Sequence, residues 1–173
     1  KVGANGDDAA GRGDLELIKS QEAAGKGLYF TRRAIDQASA NGHLETVKWL
    51  TANRKDGCTT DAMDLAAQGG HLDVVRWLHE HRFEGCTTAA LSKAAWHGHL
   101  DVVRWFYEHN IDGDIAMAIT MASESGHGEV AEWLRSHSSS KKARVGVKDG
   151  PPAAATRLTA AAAAVPMGAA TGA

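Results

Sequence analysis

Four glycines, Gly42, Gly70, Gly98 and Gly126, stand 28 residues apart without an insertion, and Trp49, Trp77, Trp105 and Trp133 each follow one of them by seven. The surrounding segments, NGHLETVKWL, GGHLDVVRWL, HGHLDVVRWF and SGHGEVAEWL, are variants of one text. Upstream, Ala34, Ala62, Ala90 and Ala118 keep the same beat, as do Ala38, Ala66, Ala94 and Ala122. An unbroken period of this length means one supersecondary unit copied along the chain, which constrains the fold more than any other feature of the sequence. In a chain of 173 residues the copies leave little room for a second domain.

Each unit reads as two helices. TTDAMDLAAQGG is a short run of good helix formers ended by glycine, and HLDVVRWLHEHR is a second such run. In the first helix the paired alanines stand at i and i+4 on one face, so neighbouring helices can approach closely. In the second, Leu72, Val75 and Leu78, widened by Val74 and Trp77, form an apolar face too broad to leave in water. Neither helix is long enough to be stable alone, so each unit must complete the core of the next. The predicted architecture is an all-α helix-turn-helix solenoid. AAGRGDLELIKSQ carries Gly13, Leu15 and Ile18 in register without a tryptophan and reads as a degenerate N-terminal cap. Gly128, Glu132, Ser123, Glu124 and Ser125 give the last unit the polar character of a solvent-facing end.

Apolar residues at 43% and charged residues at 23% fit an ordinary globular chain. Residues 1–135 carry 14 basic and 20 acidic side chains, net −6, whereas 136–173 carry 5 and 1, net +4. An acidic body argues against a nucleic-acid binder, and against the tryptophan ladder as a platform for stacked bases. The tryptophans are expected in the core. Pro151, Pro152 and Pro166 and a scarcity of large apolar side chains predict a disordered C-terminal tail, whose alanine-rich end is too short and too interrupted to span a membrane.

Candidate chemistry finds repeat-level explanations. His43, His71, His99 and His127 share the slot after the repeat glycine and are expected to hydrogen-bond at the start of the second helix. His81, His109 and His137 share a slot near its end, where an imidazole opposes the negative end of the helix dipole. His79 and His81, two apart, cannot chelate as an i, i+4 pair would. Cys58 and Cys86 are one repeat apart, about 8 to 10 Å in stacked helices, beyond the 7 Å or so that a disulfide tolerates. Free thiols and a reducing intracellular setting, cytoplasm or nucleus, are the expectation. No catalytic residue, cofactor or metal site is predicted.

The unit A-x-x-x-A-A-x-x-G-H-L-x-V-V-x-W-L resembles the ankyrin repeat, whose core reads L-H-x-A-A-x-x-G-H-L-x-V-V-x-x-L-L. The likeness runs from about Ala9 to Ser136. The threonine-proline-leucine-histidine opening is absent, and the unit is about five residues short of the usual 33 or so. The hairpin finger should therefore shrink to tight turns at Asp56-Gly57, Glu84-Gly85 and Asp112-Gly113. The resemblance implies a protein-protein interaction scaffold without catalysis, binding its partner on a concave face formed at the ends of the first helices. On that face the units differ while their framework does not. The expected partner-binding residues are Gln37, Gln68, Lys93, Trp96, His97 and Glu124. Trp96 is the outlier, a large aromatic in a slot that elsewhere holds Ala40, Gln68 and Glu124. The expected organisation is a flexible segment over 1–8, an array over 9–137 and a disordered tail over 138–173. The protein is expected to be a monomer that binds a protein partner rather than nucleic acid or membrane; the alternative is an adaptor module within a longer multidomain protein or enzyme.

Overall fold

The structure, a computed structural model, describes residues 5–25 and 27–144. Ten helices follow one another there: α1 (Gly6–Gly11), α2 (Leu15–Ala23), α3 (Arg33–Ala40), α4 (Leu44–Asn53), α5 (Asp61–Gln68), α6 (Leu72–His81), α7 (Ala89–Trp96), α8 (Leu100–Glu108), α9 (Ile115–Glu124) and α10 (Gly128–Arg144). They form five helix pairs, the all-α repeat solenoid that the periodicity predicts. The chain divides into Lys1–Ser139, which holds the array, and Ser140–Ala173, of which only 140–144 are described.

The odd-numbered helices make one closely packed row, whereas the even-numbered ones touch one another sparingly. The cause is side-chain size. Ala34, Ala38, Ala62, Ala66, Ala90, Ala94, Ala118 and Ala122 are all buried and let the first helices approach, while the second helices bury the bulkier Val47, Leu50, Val74, Leu78, Val102, Phe106, Val130 and Leu134.

The three-residue link between paired helices explains the Gly-His dipeptide. His71 N–H donates to the Ala66 carbonyl (2.9 Å) and Gly70 N–H to that of Ala67 (3.2 Å), a Schellman closure with Gly70 at φ 75°. A Cβ on Gly70 would also lie 2.5 Å from Nδ1 of His99 in the following unit, so the glycine serves both its own turn and its neighbour's ring. His99 uses that position to donate from Nε2 to the Gln68 carbonyl (2.9 Å). The histidine thus stitches two units together, and none of His43, His71 and His99 caps its own helix with its side chain.

The other histidine series sits near the helix ends as expected and does more than oppose the dipole. Nδ1 of His81, His109 and His137 donates to the carbonyl of Trp77, Trp105 and Trp133, at 2.9, 2.9 and 2.8 Å, and each ring stacks on that tryptophan at 4.6, 4.2 and 4.1 Å. This stacking qualifies the expectation of a buried ladder. Trp105 is buried, at 6% exposure, but Trp49, Trp77 and Trp133 are half-buried along the edge of the core.

A second inter-unit contact has no counterpart in the sequence reading. Asp36, buried on α3, accepts from both N–H (2.9 Å) and Oγ1 (3.0 Å) of Thr59, and Thr59 Oγ1 in turn accepts from Asp61 N–H (3.1 Å) at the start of α5. Asp64 and Thr87 repeat the clasp toward α7, and Asp7 and Thr31 toward α3. Burial pushes the Asp36 carboxyl up from its ordinary value, against the lowering effect of the Thr59 bonds.

Three expectations are corrected. Helical structure begins at Gly6, within the segment 1–8 expected to be flexible, because the Asp7-Thr31 clasp holds α1 against α3; the N-terminal unit is a complete helix pair. At the other end α10 continues through Arg144, past the expected array boundary at 137, since the first helix breaker after Gly128 is Gly146. The expectation of disorder over 145–173 lies outside the described residues. The loops after α4 and α6 turn at Gly57 and Gly85, with φ 75° and 71°, but the third reverses earlier, at Asn110 with φ 51°. There α8 ends at Glu108 and Ile111 N–H closes onto the Phe106 carbonyl (2.9 Å), while a Cβ on Gly113 would press on Leu91 at 2.8 Å. Asparagine tolerates the left-handed region better than most residues.

In place of hairpin fingers, loop arginines bridge successive units. Arg54 reaches Glu22 of the preceding unit (3.5 Å) and covers the Phe30 ring, and Arg82, paired with Glu84, lies over Gly57. Cys58 and Cys86 sit at this edge as free thiols, both pushed up to about 11 from the usual 9.0, chiefly by burial. Their folded pKa values exceed the unfolded ones, so the stability that the neutral thiols contribute is complete below about pH 9 and lost as pH rises through about 11. Urea midpoints should fall over that interval with a shallower slope in Cys58→Ala. At pH 8 a disulfide reagent should modify both thiols far more slowly in the native protein than in urea; equal rates would place them in solvent.

Candidate protein-docking groove

Along the row of first helices the outward positions change character from one end to the other. The first position runs Arg33, Asp61, Ala89, Met117; the second Gln37, Leu65, Lys93, Met121; the third Ala40, Gln68, Trp96, Glu124. Arg33, Gln37, Asp61 and Gln68 in the early units give way to Trp96, Met117 and Met121 on α7 and α9, beside the charged Lys93 and Glu124. Between these two helices lies an open groove of about 450 Å³, lined by Gln68, Thr88, Ala89, Ser92, Lys93, Trp96, His97, Asp114, Met117 and Met121.

Trp96 is the last residue of α7, held where the repeat framework resumes at Gly98, and is 42% exposed. Met117, facing it from α9, is 46% exposed. Leu17 on α2 and Tyr29 and Phe83 in loops are also exposed, whereas the valines of α4, α6, α8 and α10 are buried. The polar rim is partly committed. Lys93 Nζ is 3.6 Å from Asp64 Oδ2, His97 Nδ1 donates to the Lys93 carbonyl (3.0 Å), and Asp114 caps α9 by accepting from Met117 N–H (3.0 Å). These bonds fix the rim residues while leaving the indole and the two thioethers as the groove's apolar surface.

The structure brings Gln68, Lys93, Trp96 and His97 of the expected set together in this groove. Gln37 lies two units away on α3, half-buried beside Gly11, and Glu124 is exposed at the end of α9, outside the lining. Met117, Met121 and Asp114 were missed. Their signal was present in the spacing: Asp114, Met117, Met121 and Glu124 fall at i, i+3, i+7 and i+10, one stripe of a helix. Methionine in a repeat reads as core unless the register says which face is already covered.

Among the described residues no group of three or more His, Cys, Asp and Glu is placed to hold a metal ion, and no helix is long and apolar enough to cross a membrane. The Arg12-Gly13-Asp14 triplet is internally paired, Arg12 Nε to Asp14 Oδ2 at 2.9 Å, around a repeat glycine at φ 72°.

A comparison with curated proteins finds no match. Among protein families, the one described as ankyrin repeats (3 copies) matches over residues 35–117 and 66–149, together about two thirds of the chain. Ankyrin arrays are generally protein-protein interaction modules and typically carry no catalysis. With that match, the 28-residue helix pairs and the Gly-His turns that join them, this chain belongs to the ankyrin-repeat family.

Proposed function

We propose that the array is a docking scaffold for a protein partner, which seats on the row of first helices around Trp96. The observation that carries this reading is an indole 42% exposed beside exposed Met117, in a groove between the fourth and fifth of the five helix pairs. A framework that buries the valines of its second helices and its paired alanines has no folding use for an apolar surface there, and exposed aromatic anchors are what interface hot spots use. Gln68, Lys93 and His97 contribute the polar rim, and Gln37 and Glu124 extend the contact along the row in either direction. The scaffold acts as a monomer, and its two neutral, unpaired thiols suit a reducing intracellular compartment.

The test is a titration. Partners captured on the full chain are identified, purified and measured against wild type and Trp96→Ala. The variant should bind about 30-fold more weakly or worse, with an unchanged urea midpoint. Wild-type affinity in Trp96→Ala would remove the docking site from this groove, and loss of folding in the variant would assign the indole to the core.

A further inference from the structure

The groove's chemistry also selects the kind of segment that fits it, provided that the docking reading above holds. We propose that the partner segment is basic, with a bulky apolar residue flanked on both sides by lysine or arginine. Asp114 stands at the N-terminal end of the α9 stripe and Glu124 at its C-terminal end, both exposed, with Met117 and Met121 between them. Ten residues of helix place these carboxyl groups about 15 Å apart on one face. Opposite the methionines lies the Trp96 indole, so the centre of the groove is apolar; Asp114 lines its rim, and Glu124, beyond the lining, continues the same stripe of α9.

The basic groups of the lining do not offset this. Lys93 leans toward Asp64, 3.6 Å from its Oδ2, and His97 turns its Nδ1 back onto the last turn of α7. The array around the groove is itself acidic, net −6 over residues 1–135, so the long-range field favours the same ligand sign as the two local carboxylates. An acidic segment would meet like charge at Asp114 and, where it ran past the lining, at Glu124. A neutral apolar segment would gain burial against Trp96 and the methionines but no steering, and thioethers adapt to whichever apolar side chain enters.

Three synthetic peptides of equal length test this, sharing a Leu-Phe-Met centre and differing only in ends made of lysine, glutamine or glutamate. Fluorescence anisotropy with the full chain should rank lysine above glutamine above glutamate, with about a tenfold step between the lysine and glutamine forms at low salt. The step should shrink at about 0.5 M salt. Glu124→Gln should reduce the preference for lysine ends about threefold, and Met121→Lys should reverse it. Trp96→Ala should abolish binding of all three, and the variants' melting temperatures show whether each remains folded. Equal or reversed ranking that still depends on Trp96 would overturn the basic-segment proposal and leave docking at the groove standing. Failure of every peptide to bind would also overturn it, with the captured-partner titration still deciding the docking site. Lysine-peptide binding unaffected by Trp96→Ala would mean diffuse attraction to an acidic surface and would sink both.

Discussion

Truncation of Trp105 to alanine is expected to lower the stability of the array by about 3 to 5 kcal/mol, the range for removing a large aromatic from a packed interior. Its ring is buried at 6% exposure, stacks on His109 at 4.2 Å, meets His79 edge-on at 5.1 Å and lies 5.8 Å from Phe106. Few side chains here touch so many ring systems, and the space left would be bounded by rigid helices that close on it only partly. Because each unit completes its neighbour's core, the loss should spread along the array, so fluorescence of the remaining tryptophans and circular dichroism should report one shifted transition. Trp77→Ala should cost less, since Trp77 is only half-buried. Equal urea midpoints for Trp105→Ala and wild type would mean that the ladder contributes nothing to the core.

Removal of the Asp64 side chain should be the next largest loss, about 2 to 4 kcal/mol in Asp64→Ala. The carboxyl is buried and accepts from both N–H (2.8 Å) and Oγ1 of Thr87, across the boundary between two units, with Lys93 nearby. Alanine would leave both Thr87 donors at the N-terminus of α7 without their carboxylate partner and empty the site of a buried side chain. Asp64→Asn keeps an acceptor for one of them and should lose roughly half as much. Matching destabilisation in Ser92→Ala would count against this account, because Ser92 and Ile115 occupy the equivalent slots one unit on and isoleucine offers no hydroxyl to bond. At that boundary Asp114 caps α9 instead.

The clasp also shows how far the sequence could be read. Asp36 and Asp64 recur at the period, as do Thr59 and Thr87, yet nothing in the spacing says that an aspartate near the start of one first helix meets a threonine 23 residues later. Hydrogen bonds between units depend on how helices are laid side by side, and helical periodicity describes only one helix at a time. The same limit hid α1, whose GDDAAG has poor intrinsic propensity and is helical because tertiary contacts hold it. It also hid the wall of the groove, since which face of α9 the solenoid covers decides whether Met117 and Met121 are core or surface.

The sequence by itself determined the repeat, the two helices in each unit, the Gly-His turn between them and the all-α solenoid, because those follow from local propensity and from apolar faces that must be covered. It also singled out Trp96, by comparing each unit with its copies. Tertiary structure alone decided that Trp105 is buried while its three equivalents line the edge of the core, that histidines reach back across unit boundaries, and that Trp96 shares a groove with two methionines. Those outcomes depend on the distance and angle between stacked helices, which sum the contacts of many side chains and appear in no single segment.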